Sequence, residues 1–324
     1  MCTAVTYTTR DFYFGRTLDV ERSYGEEVVF TPRDFPLHFR HTAVAEHHYA
    51  ILGMASVADG YPLYYDAMNE AGLCMAGLRF AGNAVYGKAI PARESVAVFE
   101  LIPWLLGRCA SVAEARSALG KLHLADTSFS EDLPTAPLHW MIADRDGAIT
   151  VEAVSEGLRV YDNPVGVLTN NPPFPEQLSR LNEYMHLSAR DPVNSFSPAL
   201  PLYPYSRGMG AMGLPGDLSS ASRFVRAAFM RANSRSDDTE ETSVGQFFHI
   251  LGTVEQPRGC CVLADGLMEI TRYTSCCNAV RGIYYYTTYD NPRIAAVDMH
   301  REWLDGAALV CYPLADASDI RYQN

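Results

Sequence analysis

Residues 1–19 of the chain read MCTAVTYTTRDFYFGRTLD, and this opening carries the strongest architectural signal in the sequence. Residues 3–7 alternate and are rich in β-branched side chains, residues 9–11 are polar, and residues 12–17 return as a second apolar run. This pattern predicts a β-hairpin. The hairpin would place Arg16 on the strand that pairs with the strand of Cys2.

The cysteine at position 2 is the first candidate for catalysis. A small second residue allows the initiator methionine to be removed, so we expect Met1 to be lost and Cys2 to become the N-terminus. Cys2 would then carry a thiol nucleophile and an α-amine, and the reference pKa of such an amine is about 7.7 to 8.0. Nucleophile and base would belong to one residue. A cysteine after Met1 can equally be incidental.

The neighbours of Cys2 strengthen the catalytic interpretation. A thiolate needs positive charge nearby, which Arg16 would supply, and Asp19 would hold the protonated amine. Acyl transfer also needs donors for the developing oxyanion. Asn170 and Asn171 follow a short apolar run and are candidates, although Asn before Pro is also ordinary turn chemistry.

Composition excludes several functional classes. The 324 residues carry a formal net charge of -12, which argues against nucleic acid and against a polybasic membrane-binding surface as partners. No apolar stretch is long enough to span a bilayer, and the charged first thirty residues do not resemble a signal peptide. We therefore expect a cytoplasmic protein. Its eight cysteines lack zinc-ligand spacing, so we expect no metal and no cofactor.

The rest of the chain predicts mixed α and β structure with largely antiparallel sheets and helices outside. The predicted strands, after the opening hairpin, lie at residues 62–68, 73–80, 139–143, 148–153, 268–275, 282–289, 294–299 and 308–313. The predicted helices begin after Ser111, at Pro175 (ending at residue 187), after Asp217 or Ser219, and after Ser243. Residues 189–204, rich in Pro and Ser, are interpreted as a long surface loop inside one domain.

Long motifs along the chain resemble one known family. They are residues 1–7, 13–19, 64–77, 99–106, 137–140, 163–172, 205–223 and 282–291. In order and spacing they resemble the choloylglycine hydrolase family, which comprises bile salt hydrolases and penicillin V acylases. The resemblance covers residues 1–324 as one domain, with Met1 removed.

The resemblance implies an α+β fold, the four-layer αββα sandwich of N-terminal-nucleophile hydrolases with mostly antiparallel sheets. It also implies roles for five residues: Cys2 as nucleophile, Arg16 beside the thiol, Asp19 at the amine, Asn170 at the oxyanion, and Arg223 as a further active-site arginine. No cofactor is implied.

Arg79 departs from the family pattern. It stands in a stretch that usually reads Gly-Leu-Asn-Phe in bile salt hydrolases, while penicillin V acylases carry Tyr there. Because the backbone N–H at this position would donate to the oxyanion, Arg79 is counted among the catalytic positions. Its side chain is expected to alter substrate preference or efficiency.

The implied reaction is hydrolysis of glycine- or taurine-conjugated bile acids through a Cys2 thioester. The expected steroid pocket is apolar, and its candidate lining is Val20, Tyr24, Tyr64, Tyr65 and Leu138. Arg207, in a loop that resembles taurine-tolerant members, offers a cation to a sulfonate. The resemblance suggests a homotetramer. The alternatives are a penicillin V acylase-type amidase, and a weakened member that mainly binds bile acids, which only Arg79 supports.

Overall fold

The computed structural model describes residues 1–91 and 93–324. The opening hairpin is formed as predicted. Strand β1 (Cys2–Thr8) pairs antiparallel with β2 (Phe12–Val20), with Cys2 opposite Leu18 and Ala4 opposite Arg16. These strands belong to a six-stranded sheet in the order β12-β1-β2-β13-β14-β15. Its other strands are β12 (Val167–Leu168), β13 (Ile270–Asn278), β14 (Ile283–Thr288) and β15 (Ala295–Asp298).

A second, eight-stranded antiparallel sheet has the order β11-β10-β9-β6-β5-β4-β3-β16. Its strands are β3 (Glu27–Thr31), β4 (Ile51–Ala58), β5 (Tyr61–Asn69), β6 (Cys74–Arg79), β9 (Leu138–Asp144), β10 (Gly147–Val154), β11 (Gly157–Asp162) and β16 (Val310–Pro313). The short strands β7 (Glu94–Ala97) and β8 (Leu122–Ala125) form a separate parallel pair.

The helices cover the outer faces of the two sheets. They are α1 (Leu101–Leu106), α2 (Val112–Leu119), α3 (Phe174–Arg180), α4 (Ser220–Asn233) and α5 (Glu240–Gly252). Helices α4 and α5 contact β1, β2 and β13, whereas α1 and α2 contact β5, β6, β9 and β10. The order of layers is therefore helix, sheet, sheet, helix, and the predicted αββα sandwich is confirmed.

Two apolar cores result from this layering. One core joins the facing sides of both sheets to α4 and α5, and includes Phe14, Met68 and Phe224. The other lies between the eight-stranded sheet and α1 and α2, and includes Trp104 and Trp140. Because successive side chains of a strand point to opposite faces, each central strand of the larger sheet supplies both cores.

Two helix predictions need correction. Ser243 does not cap a helix, because α5 begins at Glu240 and the Thr239 hydroxyl accepts from the Thr242 backbone. Ser243 is buried inside the helix, and its hydroxyl bonds that of Thr9. The helix predicted from Pro175 to residue 187 starts at Phe174 and ends at Arg180, continuing as a 3₁₀ turn over Leu181–Tyr184.

Candidate active site

The predicted nucleophile lies at the buried start of β1. Cys2 is 4% exposed, and its Sγ accepts a hydrogen bond from Arg16 Nη2 at 2.5 Å. The remaining Arg16 donors are fixed by backbone carbonyls: Nη1 donates to Gly77 at 2.6 Å and to Tyr65 at 3.3 Å, and Nε to Thr17 at 3.1 Å. The guanidinium is thus held with one N–H aimed at the sulfur, the setting of a nucleophilic thiolate.

Arg16 keeps its charge although it is fully buried. Burial lowers the pKa of Arg16, but the charges of Cys2 and Asp66 raise it above its ordinary value. Asp66 lies behind the guanidinium and accepts from three hydroxyls, those of Tyr273 at 2.5 Å and of Ser275 and Tyr284 at 2.8 Å. Burial raises the pKa of Asp66. Asp66 was not predicted from the sequence, although it lies in a quoted motif.

Arg223 joins three parts of the site from the first turn of α4. Its Nη1 donates to the Cys2 carbonyl and to Thr3 Oγ1, both at 2.6 Å, and its Nη2 donates to Asn170 Oδ1 at 2.8 Å. The side chain is fully buried, and burial lowers the pKa of Arg223. These bonds fix the position of the nucleophile's backbone relative to Asn170.

Asn170 follows β12 and contacts the nucleophile directly. Its Oδ1 accepts from the Cys2 backbone N–H at 2.8 Å, and its Nδ2 donates to the Arg79 carbonyl at 2.8 Å. Its own backbone N–H donates to Ser220 Oγ at 2.8 Å. The contact with Arg79 uses one of the two hydrogens on Nδ2, so an oxyanion can be met by the other.

Asp19 is buried next to the chain start, and its carboxylate bonds two hydroxyls and not the Met1 amine; the role predicted for it concerns the amine of Cys2 and stays a prediction. Oδ1 accepts from Thr271 Oγ1 at 2.7 Å and Oδ2 from Thr17 Oγ1 at 3.3 Å, with Arg223 Nη1 3.9 Å away. The Met1 amine instead donates to the Asp19 carbonyl oxygen at 2.5 Å. It also forms an ion pair with Glu269, which was not predicted from the sequence.

The structure brings together some of the predicted substrate residues and separates others. Tyr65 and Val20 are half-buried against the core between the sheets, and the backbone carbonyl of Tyr65 accepts a hydrogen bond from Arg16. Tyr64, one residue earlier on β5, faces the other core, where its hydroxyl bonds Thr31 Oγ1 at 2.7 Å. Its side chain therefore lies on the opposite side of the sheet from Arg16 and Cys2, contrary to our expectation.

The remaining candidates lie at the periphery. Arg79 ends β6 with an exposed side chain, and Leu138 is its register partner on β9. Tyr24 is 53% exposed, in the segment after β2. Arg207 is exposed in the loop before the 3₁₀ turn at Met209–Ala211.

His139 and Glu152 form a buried pair that supports the Asn170 segment. His139 Nδ1 faces Glu152 Oε1 at 3.1 Å, and Nε2 faces the Thr169 carbonyl at 2.8 Å. The ring stacks on Phe80 with centroids 4.4 Å apart. No sequence signal distinguished this histidine, because its partners lie on different strands.

Other kinds of site were sought within residues 1–91 and 93–324. There, no group of three or more His, Cys, Asp or Glu side chains is placed to hold a metal ion. No described helix combines the length and apolar character needed to cross a membrane. A cavity of about 440 Å³ lies at the other end of β1, beside Thr6, Thr8 and Arg231, and none of the predicted site residues lines it.

The sequence matches a family model over residues 2–312, that of the linear amide C–N hydrolases, choloylglycine hydrolase family. A bile salt hydrolase/transferase of Lactiplantibacillus plantarum is 56% identical over 314 residues, 97% of each chain. A bile salt hydrolase/transferase of Clostridium perfringens is 37% identical over the whole of both chains.

Solved structures agree with the sequence matches. A conjugated bile acid hydrolase mutant from Clostridium perfringens superposes with a TM-score of 0.92, covering 100% of each chain at 37% identity. Penicillin V acylase from Agrobacterium tumefaciens, 20% identical, has a TM-score of 0.78 over 98% of this chain and 94% of its own, and shows the shared fold. The chain belongs to the choloylglycine hydrolase family of linear amide C–N hydrolases.

Proposed function

We propose that this chain is a bile salt hydrolase that cleaves the amide bond of glycine- or taurine-conjugated bile acids through a thioester on Cys2. The observation that carries the proposal is the Arg16 guanidinium, which is buried and donates to Cys2 Sγ at 2.5 Å. The 56% identity to a bile salt hydrolase/transferase over 97% of both chains supports the substrate class.

Residues 1–324 form one domain in this proposal. The reaction begins after Met1 has been removed from it. The Cys2 sulfur attacks the amide carbonyl and its proton resides on the α-amine of the same residue. The oxyanion is met by Nδ2 of Asn170 and by the backbone N–H of Arg79. The C–N bond breaks as the α-ammonium protonates the leaving amine. Water then attacks the thioester and gives a proton to the neutral α-amine, which releases the bile acid and regenerates the thiolate and the α-ammonium.

Arg223 and Asp19 take supporting parts in this reaction. The Arg223 bonds to the Cys2 carbonyl and to Asn170 Oδ1 keep nucleophile and oxyanion donor in one geometry. Asp19 lies beside the vacated Met1 position, and its carboxylate adds negative charge 3.9 Å from Arg223. Both buried charges therefore act on the nucleophile from within a region of low polarity.

Substrate recognition is assigned to the rim around Cys2. Val20, Tyr65 and Leu138 are half-buried and offer apolar surface to a steroid. Tyr24 and Arg207 are exposed; Tyr24 adds an aromatic face, and Arg207 adds a cation for the glycine carboxylate or taurine sulfonate. Tyr64 is left out of this set because it faces the opposite core.

The enzyme is further proposed to be a cytoplasmic homotetramer. The loop at residues 189–204 supports association, because it exposes apolar side chains, among them Phe196 and Tyr203, at 82% and 80%. Exposed apolar surface of this kind marks protein contacts. Light scattering on the purified protein tests the oligomeric state, and a monomer at all concentrations would contradict it.

The test of function is an endpoint assay with glycocholate, taurocholate and penicillin V, with the intact mass measured alongside. We expect release of glycine or taurine from protein that has lost Met1, and none from a Cys2→Ala variant. Cleavage of penicillin V alone would move the assignment to the acylase branch. Correctly processed protein that is inactive on all three would contradict the proposal.

A further inference from the structure

Glu269 is a buried carboxylate next to the chain start. It directly precedes β13, whose first residue Ile270 pairs with Val20 at the end of β2. The residue is 6% exposed, and its backbone N–H is satisfied by the Cys261 carbonyl at 3.0 Å. Its Oε1 forms an ion pair with the Met1 amine.

An α-amine at this place needs a counter-charge. Burial lowers the pKa of the Met1 amine, the charges of Cys2 and Asp19 raise it, and those of Arg223 and Arg16 lower it again. The Asp19 carboxylate is occupied by the hydroxyls of Thr271 and Thr17. Glu269 is thus the carboxylate that makes direct contact with an amine at the start of this chain.

Loss of Met1 moves the α-amine one residue inward, to the nitrogen of Cys2. That nitrogen already donates to Asn170 Oδ1 at 2.8 Å. The Asp19 backbone, which now donates to the Met1 carbonyl at 2.9 Å and accepts from the Met1 amine, loses both partners. The space left by Met1, which Glu269 and the Asp19 carbonyl border, is therefore open to the new ammonium of Cys2.

The buried charges near the chain start pair off in a way that favours the same role. In the reactive form the cations would be Arg16, Arg223 and the α-ammonium. The charges of Cys2 and Asp66 act on Arg16, and the Asp19 carboxylate lies 3.9 Å from Arg223 Nη1. Glu269 is then the carboxylate placed to compensate the α-ammonium, and an uncompensated charge is costly away from water.

We propose that Glu269 is the counter-charge of the Cys2 α-ammonium in the processed enzyme, and thereby a positioning residue of the reaction. This rests on the proposed use of Cys2 as an N-terminal nucleophile. Glu269 keeps a proton on the amine until the leaving nitrogen takes it, and it receives no proton itself. A carboxylate within a few ångströms favours the charged form of an amine.

The test compares Glu269→Gln, which removes the charge and keeps the shape, with Glu269→Asp, which keeps the charge. Each protein is released from an N-terminal fusion that leaves Cys2 first, so Met1 removal is not a variable. In Glu269→Gln we expect the alkaline limb of kcat/KM to move to lower pH by about one unit or more. Glu269→Asp should keep the wild-type limb. Glu100→Gln, a buried carboxylate among backbone donors on the far core, serves as control and should also keep it.

A second measurement does not need activity. The pH dependence of α-amine acetylation, followed by peptide mass, reports the titration of the amine in a Cys2→Ala background. The proposal would be overturned if the α-amine titrated at the same pH with and without the Glu269→Gln substitution. It would also be overturned if Glu269→Asp shifted the titration of the amine as far as Glu269→Gln does. Wild-type protein that begins at Cys2 and lacks activity would count against the proposed function, and the acetylation profiles would still decide the role of Glu269.

Discussion

Arg223 Nη1 donates to the carbonyl oxygen of Cys2 at 2.6 Å, although the two residues lie 221 positions apart. The bond fastens the start of β1 to the first turn of α4. The second terminal nitrogen of Arg223 donates to Asn170, so one guanidinium links Cys2, the proposed nucleophile, to Asn170, the proposed oxyanion donor. Such preorganisation is worth a large part of an enzyme's rate.

Arg223→Gln should lower kcat/KM by about two orders of magnitude or more, because four acceptors lose a charged donor and the geometry relaxes. Arg226→Gln is the matched control. Arg226 lies one turn later and also bonds backbone carbonyls, those of Thr253 and Pro215 at 2.7 Å. The control should unfold at lower temperature and retain kcat/KM. Equal kinetic losses in both variants would contradict a specific role for Arg223.

Arg16→Lys should slow both catalysis and alkylation of Cys2. Lysine keeps the charge, but it cannot reach the sulfur while also bonding the carbonyls of Gly77 and Thr17. We expect kcat/KM to fall at least about tenfold. The rate of iodoacetamide labelling, followed by mass, provides the check. Labelling as fast as in the wild type would argue that Arg16 does not activate the thiol.

Arg79→Asn should change activity on conjugated bile acids, with a higher kcat/KM expected for at least one conjugate. The side chain is exposed at the end of β6 while its backbone carbonyl bonds Asn170, so the substitution alters the rim without removing the backbone contacts. Kinetics on glycine and taurine conjugates test this. Arg159→Asn, at an exposed position on β11, is the control. Unchanged kinetics on every substrate would refute the prediction.

The ion pair between Arg33 and Glu70 should make stability depend on pH. Burial raises the pKa of Glu70, but hydrogen bonds from Arg33 and Ala50 outweigh it and leave the pKa below its ordinary value. A lowered folded-state pKa gives stability that is present above the unfolded-state pKa and lost as pH falls through the folded-state value. Arg33→Gln should thus melt a few degrees lower near neutral pH, and the gap should close in acid. A gap independent of pH, measured by calorimetry, would be the contrary result.

The local pattern of residues 1–19 was sufficient to predict the opening hairpin, since alternation and turn residues act between neighbours along the chain. Cys2, Arg16 and Asp19 were placed together for the same reason. The layer order was not derivable from periodicity and came from the family resemblance. Helix α5 began earlier than the Ser243 cap implied, because Thr239 offers an equivalent cap and Ser243 bonds Thr9 instead.

The sequence by itself placed the predicted nucleophile Cys2 beside Arg16, because both lie on one hairpin. Only the tertiary structure decided which face of β5 lies toward Cys2 and Arg16. The alternation of side chains along a strand predicts that Tyr64 and Tyr65 point to opposite faces, and the packing of the two sheets places Tyr65 on the side of Arg16. It also brought Glu269 to the chain start from the far end of the sequence. No local sequence pattern predicts such a position, because Glu269 reaches the chain start only when strands β2 and β13, which are far apart in the sequence, pair with each other.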